Sequence, residues 1–336
     1  MTQRNDDRVH VIAEAGTNHN GSVDGGKRLI DLAARGGADT VKFQIIDADQ
    51  LYLPGDYEFG TYNIEDVRQN RRKFALSWDQ FRELDRYAAD ASVPMTASIF
   101  DADGLAFYKS LDPPYVKIAS TDLTNVRLLR QTAASGLPMI VSTGMATLGE
   151  IERAVGSLVD AGASDLTLMH CVSAYPAPLE DMNLSMIDTL GSAFGFPVGL
   201  SDHTESSIAA CLAVGKGVRY IEKHFTLDRT AEGFDHAYAA EGDVFVRYVS
   251  DIRAAEAALR PRVNKTGDRE AYTAKRARRS LYAKTDLSAG RVIGDDDVLC
   301  VRPSGPMAAD QIDDVVGHTL RVDVAANTAF QSEMLQ

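Results

Sequence analysis

Eight short apolar segments, each ending in polar or charged residues, recur between residues 9 and 224 of this 336-residue chain. Most of them are followed by a stretch with helical periodicity. The segments span residues 9–14, 40–44, 94–98, 115–120, 138–143, 166–170, 197–203 and 220–224. Repeated alternation of strand and helix is typical of a (β/α)8 TIM barrel, whose active site lies at the carboxyl ends of the strands. The pattern therefore predicts an α/β barrel with the layout of an enzyme.

Composition limits the class of protein. Hydrophobic residues make up 45% of the chain and charged residues 25%, as in ordinary soluble globular proteins. The net charge of −13 argues against a nucleic-acid surface, and the apolar runs are far shorter than the roughly 20 residues of a membrane span. Residues 1–8 lack the apolar core of a secretion signal, and the three cysteines are widely spaced. We therefore expect a cytoplasmic protein with reduced thiols and with neither nucleic-acid nor membrane partners.

The pattern changes after the barrel, which predicts a second domain. Residues 261–279 are polar and basic, which favours an exposed linker, although phosphate capture by the basic residues is an alternative. Residues 280–336 carry short strand patterns with turn signals, so we expect a small, mostly β domain there and a catalytic domain over 1–260. Within the barrel, the long segment 45–74 is either a functional loop or a surface insertion.

Two histidines stand at the ends of adjacent predicted strands. His203 ends the seventh strand and His224 the eighth, so their imidazoles should be neighbours at the mouth of a barrel. Such a pair could hold a divalent metal while leaving coordination positions open for water or substrate. Two hydrogen-bonded core histidines would give the same sequence pattern.

Two lysines lie inside apolar strands, where lysine is rare unless it is paired or functional. Lys42 and Lys117 leave three interpretations open. One of them could form a Schiff base with a carbonyl substrate. Alternatively, both could clamp a carboxylate and a phosphate with the help of nearby hydroxyl groups. They could also form structural salt bridges to Glu14 or Asp122.

Seven short motifs follow one another along the predicted barrel. They are AEAGTNHNG (13–21), VKFQ (41–44), KIAS (117–120), STGMAT (142–147), YPAP (175–178), GLSDHT (199–204) and EKHFT (222–226). Together they strongly resemble the sialic acid synthase family. Residues 280–336 resemble that family's antifreeze-like (SAF) domain, so the likeness covers nearly the whole chain.

The resemblance implies a carbon–carbon bond-forming transferase of nonulosonic acid biosynthesis. Phosphoenolpyruvate would condense with the open-chain aldehyde of an N-acyl hexosamine, either N-acetylmannosamine or a diacetamido-trideoxyhexose. The product would be a nine-carbon 2-keto-3-deoxy sugar acid, with release of inorganic phosphate. A divalent metal, Mn²⁺ or Mg²⁺, would be held by His203 and His224 and act as a Lewis acid on the aldehyde.

The resemblance also implies roles for residues that meet phosphoenolpyruvate. Lys42 and Ser98 match the positions that hold its carboxylate. The phosphate contacts match Lys117, Ser120, Ser142 and Ser173. Glu14 matches a carboxylate with an acid/base or water-orienting role. Asp122, a shorter acid, stands where the family commonly has a glutamate, and we include it among the catalytic candidates.

The sugar contacts implied by the resemblance come from both domains. Gln44, Tyr175 and Asp235 match barrel positions that meet the sugar. Arg302 matches an arginine of the SAF domain that contacts the N-acyl region from above. In this family the SAF domain reaches over the partner subunit's barrel, which implies a domain-swapped homodimer whose sites are completed in trans.

Two other functions stay open at this point. A Schiff-base barrel aldolase would use Lys117 on a related keto acid. A non-catalytic sugar-binding relative would be built on a decayed barrel, but one chain here retains five of the expected polar residues. These are Glu14, Lys42, Lys117, His203 and His224.

Overall fold

The computed structural model describes residues 8–59, 62–261 and 266–336. The predictions for residues 1–7, for Gly60 in the long loop and for residues 262–265 in the linker lie outside the described residues. The chain divides into two units, residues 1–260 and residues 261–336. Each is described by itself below.

Eight parallel strands close into a barrel in the first unit. The strands of this unit are β1 (His10–Gly16), β2 (Thr40–Ile45), β3 (Glu58–Phe59), β4 (Tyr62–Asn63), β5 (Met95–Ile99), β6 (Val116–Ile118), β7 (Met139–Ser142), β8 (Leu166–Cys171), β9 (Val198–Asp202), β10 (Tyr220–Thr226) and β11 (Ala240–Glu241). Strands β1, β2 and β5 to β10 pair in that order, and β10 pairs with β1 to complete the ring. The predicted TIM barrel is therefore confirmed.

Helices follow the barrel strands and cover the outside of the sheet. They are α1 (Val23–Gly36), α2 (Ala48–Leu51), α3 (Ile64–Lys73), α4 (Trp78–Asp90), α5 (Ala102–Lys109), α6 (Val126–Ala134), α7 (Leu148–Asp160), α8 (Ser185–Phe194), α9 (Ile208–Gly215) and α10 (Gly242–Leu259). Helices α4 and α7 begin at capping boxes formed by Ser77 with Gln80 and by Thr147 with Glu150. In the described part of the chain, no helix has both the length and the hydropathy needed to cross a membrane.

The barrel interior changes from apolar to polar along the strands. Five buried side chains fill the end at which the strands begin: Ile12, Tyr115, Ile140, Met169 and Tyr220. The main apolar core lies between the outer face of the sheet and the helices. Because the strand starts are plugged by these side chains, a ligand can reach the interior only from the carboxyl ends.

The second unit is a small β-rich body with its own core. It contains α11 (Asp268–Ala277) and the antiparallel strands β12 (Ser280–Ala283) and β13 (Val298–Val301). The sequence pattern did not indicate α11, which lies in the segment predicted as a linker. Among the described residues of this unit, ten side chains form the core, including Leu281, Val315 and Phe330.

Candidate active site

Polar side chains, most of them buried, line an open cavity at the carboxyl ends of the barrel strands, with about 450 Å³ of space that includes solvent at its mouth. Most of the predicted site residues line it, namely Glu14, Lys42, Gln44, Ser98, Lys117, Ser120, Ser142, Ser173, Tyr175, His203 and His224. The structure thus brings together residues that are dispersed over the whole barrel sequence.

Strand alternation explains why these side chains face inward. On β1, Ile12 belongs to the apolar plug, and Glu14, two residues later, points to the same side. Parallel pairing sets Glu14 opposite Lys42 on β2 and opposite His224 on β10. Closure of the barrel between its first and last strands therefore places these three side chains next to one another.

The two buried lysines are paired with carboxylates at the mouth. Lys42 Nζ lies 2.6 Å from Glu14 Oε2 and donates a hydrogen bond to Ser98 Oγ at 2.9 Å. Glu222 Oε2 lies 3.6 Å from Lys42 Nζ and 3.8 Å from Lys117 Nζ. The salt-bridge interpretation is thus partly correct, because Lys42 pairs with Glu14. The carboxylate beside Lys117, however, is Glu222 and not Asp122.

Sequence reasoning missed Glu222 as a site residue, although the signal was present. Glu222 and His224 are two residues apart on β10, so alternation sends both into the barrel, and Lys223 between them points outward. Lys223 is buried against Asp202, whose Oδ2 lies 3.5 Å away. Glu222 is 4% exposed, and its Oε1 accepts a hydrogen bond from Ser201 Oγ at 3.1 Å.

Burial and pairing drive the pKa values of the two carboxyl groups apart. Burial raises the pKa of Glu14 to about 7, against the lowering effect of Lys42. Burial would also raise the pKa of Glu222, but the ammonium groups of Lys117 and Lys42 outweigh it and lower that pKa to about 2. Glu222 is therefore a permanent counter-charge, whereas Glu14 can exchange a proton near neutral pH.

A group of hydroxyls beside Lys117 forms a site suited to an oxyanion. Lys117 Nζ donates to Ser142 Oγ at 2.7 Å, and the Gly144 N–H donates to Ser120 Oγ at 3.0 Å. A Cβ atom on Gly144 would lie only 2.3 Å from Ser173 Oγ and 2.8 Å from Ser120 Oγ. Only glycine at position 144 leaves room for these hydroxyls to converge. Together with the ammonium group of Lys117, the hydroxyls form a set of donors that can bind a phosphate.

The two histidines lie side by side, with ring centroids 5.4 Å apart. His203 Nδ1 lies 2.7 Å from the Val172 carbonyl oxygen, so this nitrogen carries a proton, and in the neutral ring Nε2 keeps its lone pair. Burial would lower the pKa of His203, but Cys171 and the Val172 carbonyl outweigh it and raise that pKa. Burial lowers the pKa of His224 to about 3, so its ring is neutral.

This donor set fits a divalent metal. The Nδ1 atom of His224 is buried without a hydrogen-bond partner. The Val172 carbonyl accepts from His203 and orients its ring, as backbone carbonyl groups do behind many metal-binding histidines. Among the described residues, no group of three or more histidine, cysteine or acidic side chains is arranged to hold a metal. A metal held here would therefore complete its coordination with water or substrate.

Aromatic and acidic side chains border the histidine side of the cavity. The Tyr175 ring lies 4.3 Å from that of His203 and 4.8 Å from that of Tyr238, measured between centroids. Tyr238 donates a hydrogen bond to Asp235 Oδ1 at 2.6 Å, while Asp235 Oδ2 is buried without a partner. Asp235 does not line the cavity itself but lies against Gly16 at its edge.

One predicted residue of the barrel, Asp122, is not brought to the cavity or its edge. Asp122 lies in a 3-10 turn after β6, where it accepts hydrogen bonds from Thr121 at 3.1 Å and Asn125 at 3.2 Å. Its neighbour Thr121 lines the cavity instead. Arg302 is an exposed side chain of the second unit.

Comparisons with known proteins find matches for both units. The profile of the NeuB family matches residues 29–264, and that of the SAF domain matches residues 278–336. The N,N'-diacetyllegionaminic acid synthase of Legionella pneumophila is 34% identical, over 97% of this chain and 94% of its own length. The pseudaminic acid synthase of Campylobacter jejuni is 31% identical, over 97% and 96%. The crystal structure of a Leptospira borgpetersenii N-acetylneuraminic acid synthetase with citrate has a TM-score of 0.70 at 33% identity, covering 79% of this chain and 90% of that one.

Proposed function

This chain belongs to the NeuB family, and from that premise we propose that it condenses phosphoenolpyruvate with the open-chain aldehyde of an N-acyl hexosamine. Its C-terminal unit is an SAF domain. The product is a nonulosonic acid, and inorganic phosphate is released. The names of the relatives from Legionella and Campylobacter support a product of this class. The acceptor is N-acetylmannosamine or a diacetamido-trideoxyhexose.

The main support for the proposal is the distribution of side chains around the cavity, whose two sides suit different substrates. Contiguous strands β2, β5, β6 and β7 supply ammonium and hydroxyl groups, which suit an anionic substrate. The neighbouring strands β9 and β10 lead to the imidazoles of His203 and His224. An anion with two charged groups and an electrophile can therefore meet between them.

Phosphoenolpyruvate binds on the lysine side. Lys42 and Ser98 take its carboxylate, since Lys42 Nζ and Ser98 Oγ are already 2.9 Å apart. Lys117 turns from Glu222 to the phosphate, which is also held by three hydroxyls. These belong to Ser120, Ser142 and Ser173. The dianionic phosphate compensates the positive charges of the two lysines, which without substrate are compensated by the glutamates.

His203 and His224 would hold a divalent ion, Mn²⁺ or Mg²⁺, which would supply Lewis-acid polarisation of the sugar aldehyde. The double bond between carbons 2 and 3 of phosphoenolpyruvate supplies the electron pair for the new bond from carbon 3 to the aldehyde carbon. The aldehyde oxygen takes up the proton that Glu14 receives from the attacking water. Water adds to carbon 2 and loses its proton to the Glu14 carboxylate, which Gln44 orients through a 3.0 Å hydrogen bond. The bond between carbon 2 and the phosphate oxygen then breaks, and the proton of the hydroxyl group at carbon 2 passes to the departing phosphate. A keto group and inorganic phosphate are left.

The sugar lies between Gln44, Tyr175 and Asp235. The free Oδ2 atom of Asp235 accepts a sugar hydroxyl, and Tyr175, half exposed beside the histidines, packs against the sugar chain. Arg302 of the partner subunit contacts the N-acyl region in a domain-swapped homodimer.

Phosphate release from phosphoenolpyruvate tests the proposal. The enzyme is incubated with Mn²⁺ and a panel of N-acyl hexosamines, with and without EDTA, beside a His203→Ala variant. We expect sugar-dependent release that EDTA or the substitution abolishes. Borohydride trapping at Lys117 with a keto-acid substrate, without phosphate release and without dependence on a metal, would instead support the Schiff-base aldolase. Binding of phosphoenolpyruvate in calorimetry without release for any sugar would indicate a non-catalytic relative.

A further inference from the structure

A buried ion pair lies on the outer face of the barrel, directly behind the two histidines. His203 and His224 face the cavity, whereas the residue before each of them, Asp202 and Lys223, points to the opposite face and contacts Tyr248 of α10. Lys223 Nζ lies 3.5 Å from Asp202 Oδ2, and both side chains are almost fully buried. The chemistry described above uses neither of them.

Backbone pairing between β9 and β10 does not extend to His203. The pairing ends at Asp202 on β9 and Lys223 on β10, and β9 itself ends at Asp202. His203 therefore lies in the turn that follows the strand. On the side of β8, the Val172 carbonyl accepts from the ring of His203, and the Ala177 N–H donates to the His203 carbonyl oxygen at 2.9 Å. On the side of β10, the turn is held by side chains.

Asp202 and Lys223 together hold the backbone of this turn. Asp202 Oδ1 accepts from the Thr204 N–H at 2.8 Å, so His203 is the middle residue of an Asx turn. Lys223 Nζ donates to the Thr204 carbonyl oxygen. Both backbone polar groups of the residue after His203 are thus bound by this ion pair. Since Lys223 also precedes His224, the same contact links the segments that carry the two imidazoles.

Tyr248 completes the network from α10. Its hydroxyl donates to Asp202 Oδ2 at 2.7 Å, and Lys223 Nζ lies 5.0 Å from the centroid of its ring. Both carboxylate oxygens of Asp202 are therefore hydrogen-bonded, which fixes the orientation of the carboxylate. Stability alone is a poor explanation for such a network, because well-packed apolar residues in place of a buried ion pair are often neutral or stabilising. Its position behind the histidines favours a role in the geometry of the site.

We propose that Lys223 is a positioning residue, which holds the turn of His203 in place relative to His224 and so preorganises the two imidazoles for a divalent ion. Asp202 and Tyr248 act with it by fixing the turn and the lysine. Lys223 does not line the reaction cavity, so its effect passes through the backbone. The inference rests on the proposed function, because it requires the two histidines to be metal ligands.

Titration of the full-length enzyme with Mn²⁺, followed by electron paramagnetic resonance of the free ion, tests the proposal. We expect the Kd for Mn²⁺ to rise about 10- to 100-fold in Lys223→Met, as on loss of other groups that support metal ligands. Tyr248→Phe keeps the ring and should have a smaller effect in the same direction. In kinetics, the Mn²⁺ concentration for half-maximal activity should rise by the same factor. The KM for phosphoenolpyruvate at saturating Mn²⁺ should stay at its wild-type value.

A double variant separates positioning from stability. Lys223→Met alone leaves the buried carboxylate of Asp202 without its cation, which destabilises the fold. Combining it with Asp202→Asn removes this uncompensated charge and keeps an oxygen for the Thr204 N–H. We expect the double variant to regain most of the thermal stability but to bind Mn²⁺ as weakly as Lys223→Met, because the link to β10 is still missing.

Arg253→Met is the matched control. Arg253 also belongs to α10 and to a polar network against the sheet, but at the ends where the strands begin. There it pairs with Asp39 at 2.6 Å and donates to the Val9 carbonyl oxygen at 2.7 Å. Its removal should lower the midpoint of thermal unfolding without changing the Kd for Mn²⁺.

The outcomes distinguish this inference from the proposed function. Wild-type Mn²⁺ affinity in Lys223→Met and in the double variant would overturn the positioning role. An equal loss of affinity in Arg253→Met would also overturn it, since the effect would then follow from general destabilisation. A wild type that binds no Mn²⁺, or a His203→Ala variant that binds it as tightly as the wild type, would contradict the metal site of the proposed function and this inference with it.

Discussion

Glu14 Oε2 lies 2.6 Å from Lys42 Nζ, on the first two strands of the barrel and at the mouth where the substrates are proposed to meet. Both side chains are almost fully buried. An ammonium that pairs with a carboxylate in the absence of substrate can turn to a substrate carboxylate when one binds. The same movement would leave Glu14 with less compensation of its charge and thus a better proton acceptor.

Replacing Glu14 with glutamine tests its role as the base. Burial raises the pKa of Glu14 to about 7, so the carboxylate form is lost as the pH falls through 7. We expect wild-type kcat/KM to decrease below about pH 7 and the variant to lose 10²- to 10⁴-fold in kcat together with this pH dependence. Phosphate release measured between pH 5.5 and 9 gives both profiles. An acid limb that persists in the variant would assign the titration to another group.

Removing the charge of Glu222 should destabilise the fold. Glu222 is the carboxylate shared by Lys42 and Lys117, and its loss leaves two buried ammonium groups with Glu14 as their only compensation among the described side chains. Breaking a buried pair of this kind costs about 3–5 kcal/mol, so Glu222→Gln should lower the free energy of unfolding by that amount. Urea denaturation measures it.

The control for this prediction is Glu205→Gln. Glu205 pairs with Arg229 at 3.2 Å, but both side chains are exposed, so the loss should be at most about 1 kcal/mol. Equal effects of the two substitutions would mean that Glu222 is not an essential counter-charge.

Much of the barrel and its site could be predicted from sequence because both depend on short-range patterns. Apolar runs with polar ends define the strands, and strand alternation determines which side chains face inward. Alternation alone also points to Glu222, since His224 on the same strand had already been assigned to the mouth. The specific pairing of Lys42 with Glu14 depends on the register between β1 and β2 and on closure by β10, which are long-range contacts.

Other features depend on tertiary packing, which the hydrophobic periodicity of the sequence does not indicate. The side chain of Asp122 is captured by Asn125 in a 3-10 turn, so its place in the sequence, next to the site, did not bring it to the cavity. Arg71 donates to Thr17 because α3 packs beside the first loop, and that contact is set by tertiary structure. The helix over 268–277 lacked a buried face that could have indicated it, since none of its residues is buried.

Adding a methyl group at Gly144 should weaken phosphoenolpyruvate binding. The new Cβ would lie 2.3 Å from Ser173 Oγ and 2.8 Å from Ser120 Oγ, so these hydroxyls must separate. For Gly144→Ala we expect the KM for phosphoenolpyruvate to rise on the order of 10- to 100-fold, as displacements of about 1 Å at an active site do. The KM for the sugar should change little.

Gly156→Ala is the matched control for Gly144→Ala. Gly156 lies within α7, and nothing lies within 4 Å of a Cβ atom at this position. Alanine there should leave the kinetics unchanged and stabilise the helix by about 0.5–1 kcal/mol. An unchanged KM for phosphoenolpyruvate in Gly144→Ala would remove the hydroxyl group from the proposed phosphate site.

Arg302→Ala should raise the KM for the sugar while the KM for phosphoenolpyruvate is preserved. Arg302 is an exposed side chain of the SAF domain, so its removal should leave the fold of that domain intact. Steady-state kinetics with each substrate varied in turn separates the two constants. An unchanged KM for the sugar would contradict the proposed contact with the N-acyl group.

Mixing an inactive variant with an impaired one tests whether Arg302 acts in trans, that is, in the site of the partner subunit. His203→Ala inactivates a barrel but carries an intact Arg302, whereas Arg302→Ala carries an intact barrel. If each site combines the barrel of one subunit with Arg302 of the other, a mixed dimer contains one complete site, and sugar use at low concentration should recover after the variants are unfolded and refolded together. If Arg302 serves its own barrel, no mixed dimer has a complete site. Activity would then stay at the level of Arg302→Ala alone, which would overturn the domain-swapped arrangement.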